Sequence, residues 1–92
     1  MEPELTAVFE ELTRQFIAAE IKIGLIFARV AAKKYAEGSR DQGRKVRANA
    51  REAYTEAERR LQEGEARGWE LAVLREGLRG FREALDAIAS EA

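Results

Sequence analysis

Four guanidinium groups crowd one short segment: Arg40, Arg44, Arg47 and Arg51 stand four, three and four residues apart. On a helix this spacing makes a single row. Such a row can hold phosphate oxygens without reading a base sequence, in a salt-sensitive way. Lys33 and Lys34 precede it and would extend it into a basic pole. A second candidate is carboxylate chemistry. Glu52 and Glu56 lie four apart, a spacing that serves metal or acid–base sites when a Glu-x-x-His motif supplies the other ligands. The chain has no histidine and no cysteine, which removes that companion together with thiolate metal sites, disulfides and thiol catalysis. The hydroxyls of Thr6, Thr13, Ser39, Thr55 and Ser90 and the two tyrosines have no base beside them in sequence. Gly64 and Gly68 make no phosphate loop, since no Gly-Lys-Ser/Thr follows them. These absences argue against an enzyme and against any metal or cofactor.

The elements that would carry these residues are helices. In 92 residues, 46% are hydrophobic and 36% charged, with one proline, a balance dominated by the residue types of long helices. Pro3 suits a first helical turn, Glu2 and Glu4 suit its positive end, and Gly38 closes it. Within it Leu5, Phe9, Leu12, Phe16, Ala19, Ile23, Ile26 and Val30 alternate steps of four and three, a sustained heptad seam expected to face the core. Ser39 with Gln42 reads as a capping box opening a second helix. Its seam is Val46, Ala50, Ala53, Ala57 and Leu61, whose small side chains invite close approach. Gly64 and Gly68 bracket the second turn. Leu71, Leu74, Leu78, Phe81, Leu85 and Ile88 then form the seam of a third helix. Beside it Val73, Gly77, Gly80, Ala84 and Ala87 offer a small-residue stripe that could meet the alanines of helix 2. The expectation is all-α: an up-down-up bundle with helices at about 3–37, 40–63 and 67–90, in a single domain spanning 1–92. A continuous rod of helices 2 and 3 is the alternative.

Helix 1 has a surplus. Ile17, Ile21, Leu25, Ala28, Ala32 and Tyr35 gather nearly opposite its main seam. A second apolar face must be covered. Either helix 1 sits centrally between the other two, or the chain dimerises through Ile17, Ile21, Gly24, Leu25, Ala28 and Ala32, and two-fold association favours the second. Another helical protein is the other partner this face could take.

Charge is segregated although the net value is −1. Residues 1–20 hold five acids against Arg14, whereas residues 29–51 hold eight bases against Glu37 and Asp41. In an up-down-up bundle the acids Glu83, Asp86 and Glu91 would return to the basic pole, and Arg59, Arg60 and Arg67 would meet the acidic start. Internal matching therefore competes with nucleic acid as the reason for the arginine row, and the acidic balance favours matching. The most apolar run, Phe16 to Ala32, contains Glu20, Lys22 and Arg29, each costing roughly 2.5 to 3.5 kcal/mol at a bilayer centre. With no secretory n-region at the start, a cytoplasmic chain without membrane association is expected.

Ala48-Asn-Ala-Arg-Glu-Ala-Tyr-Thr-Glu-Ala57 resembles a helix of small uncharacterised bacterial all-helical proteins, in which an A-N-A-R-x-A-Y-x-x-A segment follows an I-x-x-G-L-x-F-A helix, here Ile21 to Ala28. The resemblance covers roughly the middle half of the chain. It implies a helical fold and carries no activity with it. Ala50, Tyr54 and Ala57 are also similar to the second helix of a tetratricopeptide repeat. One repeat length on, Glu91 stands where alanine is expected, and the repeat's proline is absent. The expected function is a non-enzymatic helical interaction or structural module, homodimeric, with a polyanion binder as the alternative.

Overall fold

Each of the two turns is built by the same backbone device, and between them they divide the chain into three helices. The computed structural model describes residues 3–91, with side chains from Glu4 to Ile88. Helix α1 runs Pro3–Ala36, with Glu4 in its first turn and Lys33 and Lys34 in its last, both matched to the helix dipole. Gly38 takes φ +83°. Its N–H donates to the Tyr35 carbonyl at 3.0 Å and that of Ser39 to Lys34 at 2.8 Å, the paired bonds of a Schellman ending. Helix α2, Arg40–Ala66, ends identically: Gly68 at φ +84°, its N–H donating to Glu65 at 2.9 Å, and the Trp69 N–H to Gly64 at 3.1 Å. Helix α3 is Ala72–Glu91. The two later helices are thus separate. Glu2, and the side chains of Ser90 and Glu91, lie outside the described residues.

Two local expectations change. The capping box does not form, because Ser39 is already the last residue of the α1 ending. It caps α2 with its carbonyl, which accepts the Gly43 N–H at 2.9 Å, while its side chain makes no cap bond. The third helix begins five residues later than the spacing predicts. Gly64 lies inside α2, and a β-carbon there would sit 2.7 Å from Leu71 Cδ1 and 2.9 Å from the Trp69 ring. Residues 68–71 therefore fold across the bare end of α2, and Glu70 accepts the Ala72 N–H at 2.9 Å to start α3.

The helices run up, down and up. Arg60 lies over the Phe16 ring and Arg67 over Phe9, so α2 retraces α1. Gly77 faces Ile21, and Phe81 faces Gly24, so α3 runs parallel to α1. The bundle measures 54 × 17 × 14 Å. The seams of α2 and α3 turn inward as their periodicity predicts, Val46 and Leu74 only half-buried.

In α1 the two faces are exchanged. Ile17, Ile21, Gly24, Ala28 and Ala31 are buried against α2 and α3, with Leu25 and Ala32 half-buried beside them. The face read as a dimer interface is thus the inward face, and the heptad seam Leu5 to Val30 is exposed. Shape decides this. Phe81, fully buried, stands where a Gly24 side chain would be: a β-carbon would lie 2.1 Å from its Cζ. Tyr54 meets the same ring edge-on at 5.6 Å between centroids. The outer seam offers no glycine and no such socket. The alanines of α2 likewise meet the Ile17–Ile21 face of α1 in the main core cluster, not the stripe on α3, where Val73 is exposed and Gly80 has open space around it.

Gly24→Ala tests the socket. Alanine is about 1 kcal/mol better than glycine in a helix, yet the clash with a packed ring is of the kind that costs about 1 to 3 kcal/mol. Urea denaturation should show net loss of stability, and pairing the change with Phe81→Leu should recover part of it.

Candidate interaction surface

Helix α1 presents an uninterrupted apolar stripe to solvent. Leu5, Val8, Phe9, Leu12, Phe16, Ile23, Ile26 and Val30 are each between 37% and 61% exposed. At 1.5 Å per residue the stripe is about 37 Å long. Taking roughly 200 Å² for a fully exposed large side chain, it offers about 800 Å² of apolar surface, above the few hundred Å² normal for the largest patch on a monomer. The four-and-three spacing keeps these residues on one side of the helix, the line drifting only about 20° per heptad, which is why the stripe is continuous.

Its two edges differ. On the α2 side Glu20, Ile23 and Phe27 line a shallow groove with Asn49, Glu52 and Glu56. Two cations lie on the aromatic rings at this edge: the Arg60 guanidinium carbon is 4.7 Å from the Phe16 centroid and that of Arg67 is 5.8 Å from Phe9, with Trp69 at 5.4 Å from Arg67. These are cation–π contacts of partly exposed groups. At 100° per residue the opposite edge carries Glu4, Glu11, Lys22, Arg29 and Lys33, all exposed.

The arginine row sits elsewhere, on the α3 side of α2. Arg40, Arg44 and Arg51 are exposed and Arg47 half-buried. Arg47 and Arg51 line a groove with Tyr54, Glu58, Arg82 and Asp86, but among the described residues no ion pair joins the row to Glu83 or Asp86. Arg44 pairs instead with Asp41 of its own helix at 2.5 Å. The other pole behaves alike. Arg59 bridges Glu56 and Glu63, Arg60 joins Glu56, and Arg14 joins Glu10, all three or four residues apart. Matching between poles is thus replaced by pairing within helices, because i,i+3 and i,i+4 partners meet without any tertiary constraint. Arg75 to Glu65 is the one ion pair linking two helices among those described.

The carboxylates read as possible catalysts have ordinary employment. Hydrogen bonds from Arg59 and then Arg60 hold Glu56 below the usual carboxylate range, so it is an ionised partner and Glu52 stands exposed beside it. Burial, followed by the hydrogen bond its hydroxyl donates to Glu58 at 3.1 Å, pushes the Tyr54 phenol above its ordinary value, the wrong direction for a nucleophile at neutral pH. Glu20 is half-buried at the groove. Among the described residues no three acidic side chains gather in a metal-binding group, and no helix is long and apolar enough to cross a membrane. Periodicity alone marked neither Gly24 nor Gly64 as a socket. A glycine at a core position of an otherwise strong helix was the available signal. Compared with protein-family models, curated proteins and solved structures, the chain has no match.

The Arg75–Glu65 pair has a pH signature. The hydrogen bond from Arg75 lowers the Glu65 carboxyl below its usual 4.5, so its contribution is present above that pH and is lost as pH falls through the lowered value. Glu65→Gln should lower the melting temperature at pH 7, and the gap to the wild type should close as the pH falls below about 4.5 in thermal melts.

Proposed function

We propose that this chain is a non-enzymatic helical interaction module that docks, along the outer face of α1, a helix bearing a similar apolar repeat. The observation that carries this reading is the stripe itself. It is long and apolar, and its area is what one partner contributes to a standard-size interface, about 800 Å². Knobs from a heptad-spaced helix fit such a line, whereas a small molecule needs a concave pocket. The composition supports the same reading, since neither histidine nor cysteine is present to act as base, nucleophile or soft ligand. A cytoplasmic setting without membrane association belongs to it, supported by the charges Glu20, Lys22 and Arg29 within the most apolar segment.

Leu12→Glu with Ile26→Glu places two charges on the stripe. Both sites are exposed, so the monomer's unfolding free energy should move by no more than about 0.5 kcal/mol per site. Affinity capture from the native cell should retain a helical protein, another copy included, on the wild type and lose it on the variant. Identical capture by both would sink the reading.

A second reading rests on the arginine row, whose Arg40, Arg47 and Arg51 enter no ion pair among the described residues. As a phosphate-contacting edge it would bind DNA or RNA weakly and with steep salt dependence. Arg47→Glu with Arg51→Glu should then abolish a mobility shift seen at about 50 mM salt. Absence of any shift for the wild type under that condition removes this reading.

A further inference from the structure

We propose that the helix docked on α1 is the α1 of a second copy, laid antiparallel about a two-fold axis that crosses the helix between residues 17 and 18. This rests on the reading of the stripe as a docking surface and names its partner. Three observations meet on it.

The first is spacing. The heptad seam reads the same from either end, so an antiparallel copy brings Leu5 onto Val30, Phe9 onto Ile26, Leu12 onto Ile23 and Phe16 onto Ala19. The pairing matches volume as well as position. Both phenylalanines lie in the first half and meet isoleucine or alanine of the second half, whereas a parallel copy would set Phe9 on Phe9 and Phe16 on Phe16.

The second observation is charge. On the edge away from α2, the first half carries Glu4 and Glu11 and the second half Lys22, Arg29 and Lys33. All five are exposed, and none is in an ion pair among those described. In the antiparallel register Glu4 approaches Lys33, and Glu11 lies between Lys22 and Arg29. A parallel two-fold copy would instead set this edge against the partner's α2-side edge, so none of these pairs would form. The third is area. Two stripes of about 800 Å² bury together what stable dimers bury, and only full overlap covers both.

The chain lacks cysteine, so single cysteines report orientation directly. Ala18 and Ala36 are both exposed and are eighteen residues, or about five whole turns, apart, which places them on one face of α1. With spin labels at Ala18→Cys, the two labels of a dimer should be separated by the helix width alone. At Ala36→Cys an axial separation of about 55 Å is added. Light scattering should give a dimer at micromolar concentration, reduced to a monomer by Leu12→Glu with Ile26→Glu while circular dichroism keeps the helix content. Equal short distances at both sites would overturn the antiparallel arrangement. A wild-type monomer would overturn the second-copy partner and leave the docking surface standing, provided the stripe-dependent capture holds. A dimer indifferent to both glutamates would overturn the partner and the surface together.

Discussion

A phenyl ring occupies the space of an absent side chain where Phe81 of α3 lies over Gly24 of α1. The arrangement of the bundle depends on that contact. Gly24 is central in the inward face of α1, flanked by Ile17 and Ile21 on one side and Ala28 and Ala31 on the other. The alanines of α2 require a neighbour that approaches closely, and a face with glycine and alanine at its middle provides one. The Leu, Phe and Ile seam on the outside is more hydrophobic per residue, yet it would hold α2 and α3 at a greater distance. Interiors are packed to crystal-like density, so fit outweighs the extra apolar area that would otherwise be buried.

This is also where the sequence was least legible. The existence of three helices follows from glycine placement and periodicity, and the inward seams of α2 and α3 are those that the three-and-four spacing marks. Both signals record where apolar groups recur. Neither records which of two apolar faces has room for an aromatic ring from another helix. Ile17, Ile21, Gly24, Leu25, Ala28 and Ala32 were visible as a face needing cover, and the cover is α2 and α3. The late start of α3 has the same origin. Trp69 and Leu71 are drawn over Gly64, a tertiary contact that outweighs helix propensity. The positions of Arg40, Arg44, Arg47 and Arg51 in one row were legible because a helical wheel needs only the backbone; their failure to meet Asp86 depends on rotamers and on competition from Asp41.

Ionic contacts therefore play a small part in choosing the topology. Exposed i,i+4 pairs contribute about 0.3 to 0.5 kcal/mol each, and most pairs here would form in the isolated helices. Arg75 and Glu65 differ, since they fasten α3 to the end of α2 beside the second glycine turn. The charges along the free edge of α1 form no ion pair among those described.

Between Glu4 and Phe16 no side chain is buried, and among the described side chains the first buried one of α1 is Ile17. Along these four turns Arg67 and Arg60 rest on Phe9 and Phe16. Helix ends that fully bury no side chain open locally at less free-energy cost than the core. A helix docked there as proposed would order these turns as well as bury them, and part of the binding free energy would be consumed in doing so. The consequence is kinetic as much as thermodynamic: release can begin by fraying from Pro3 inward, so that contacts break in sequence and a long interface need not be a slow one to leave.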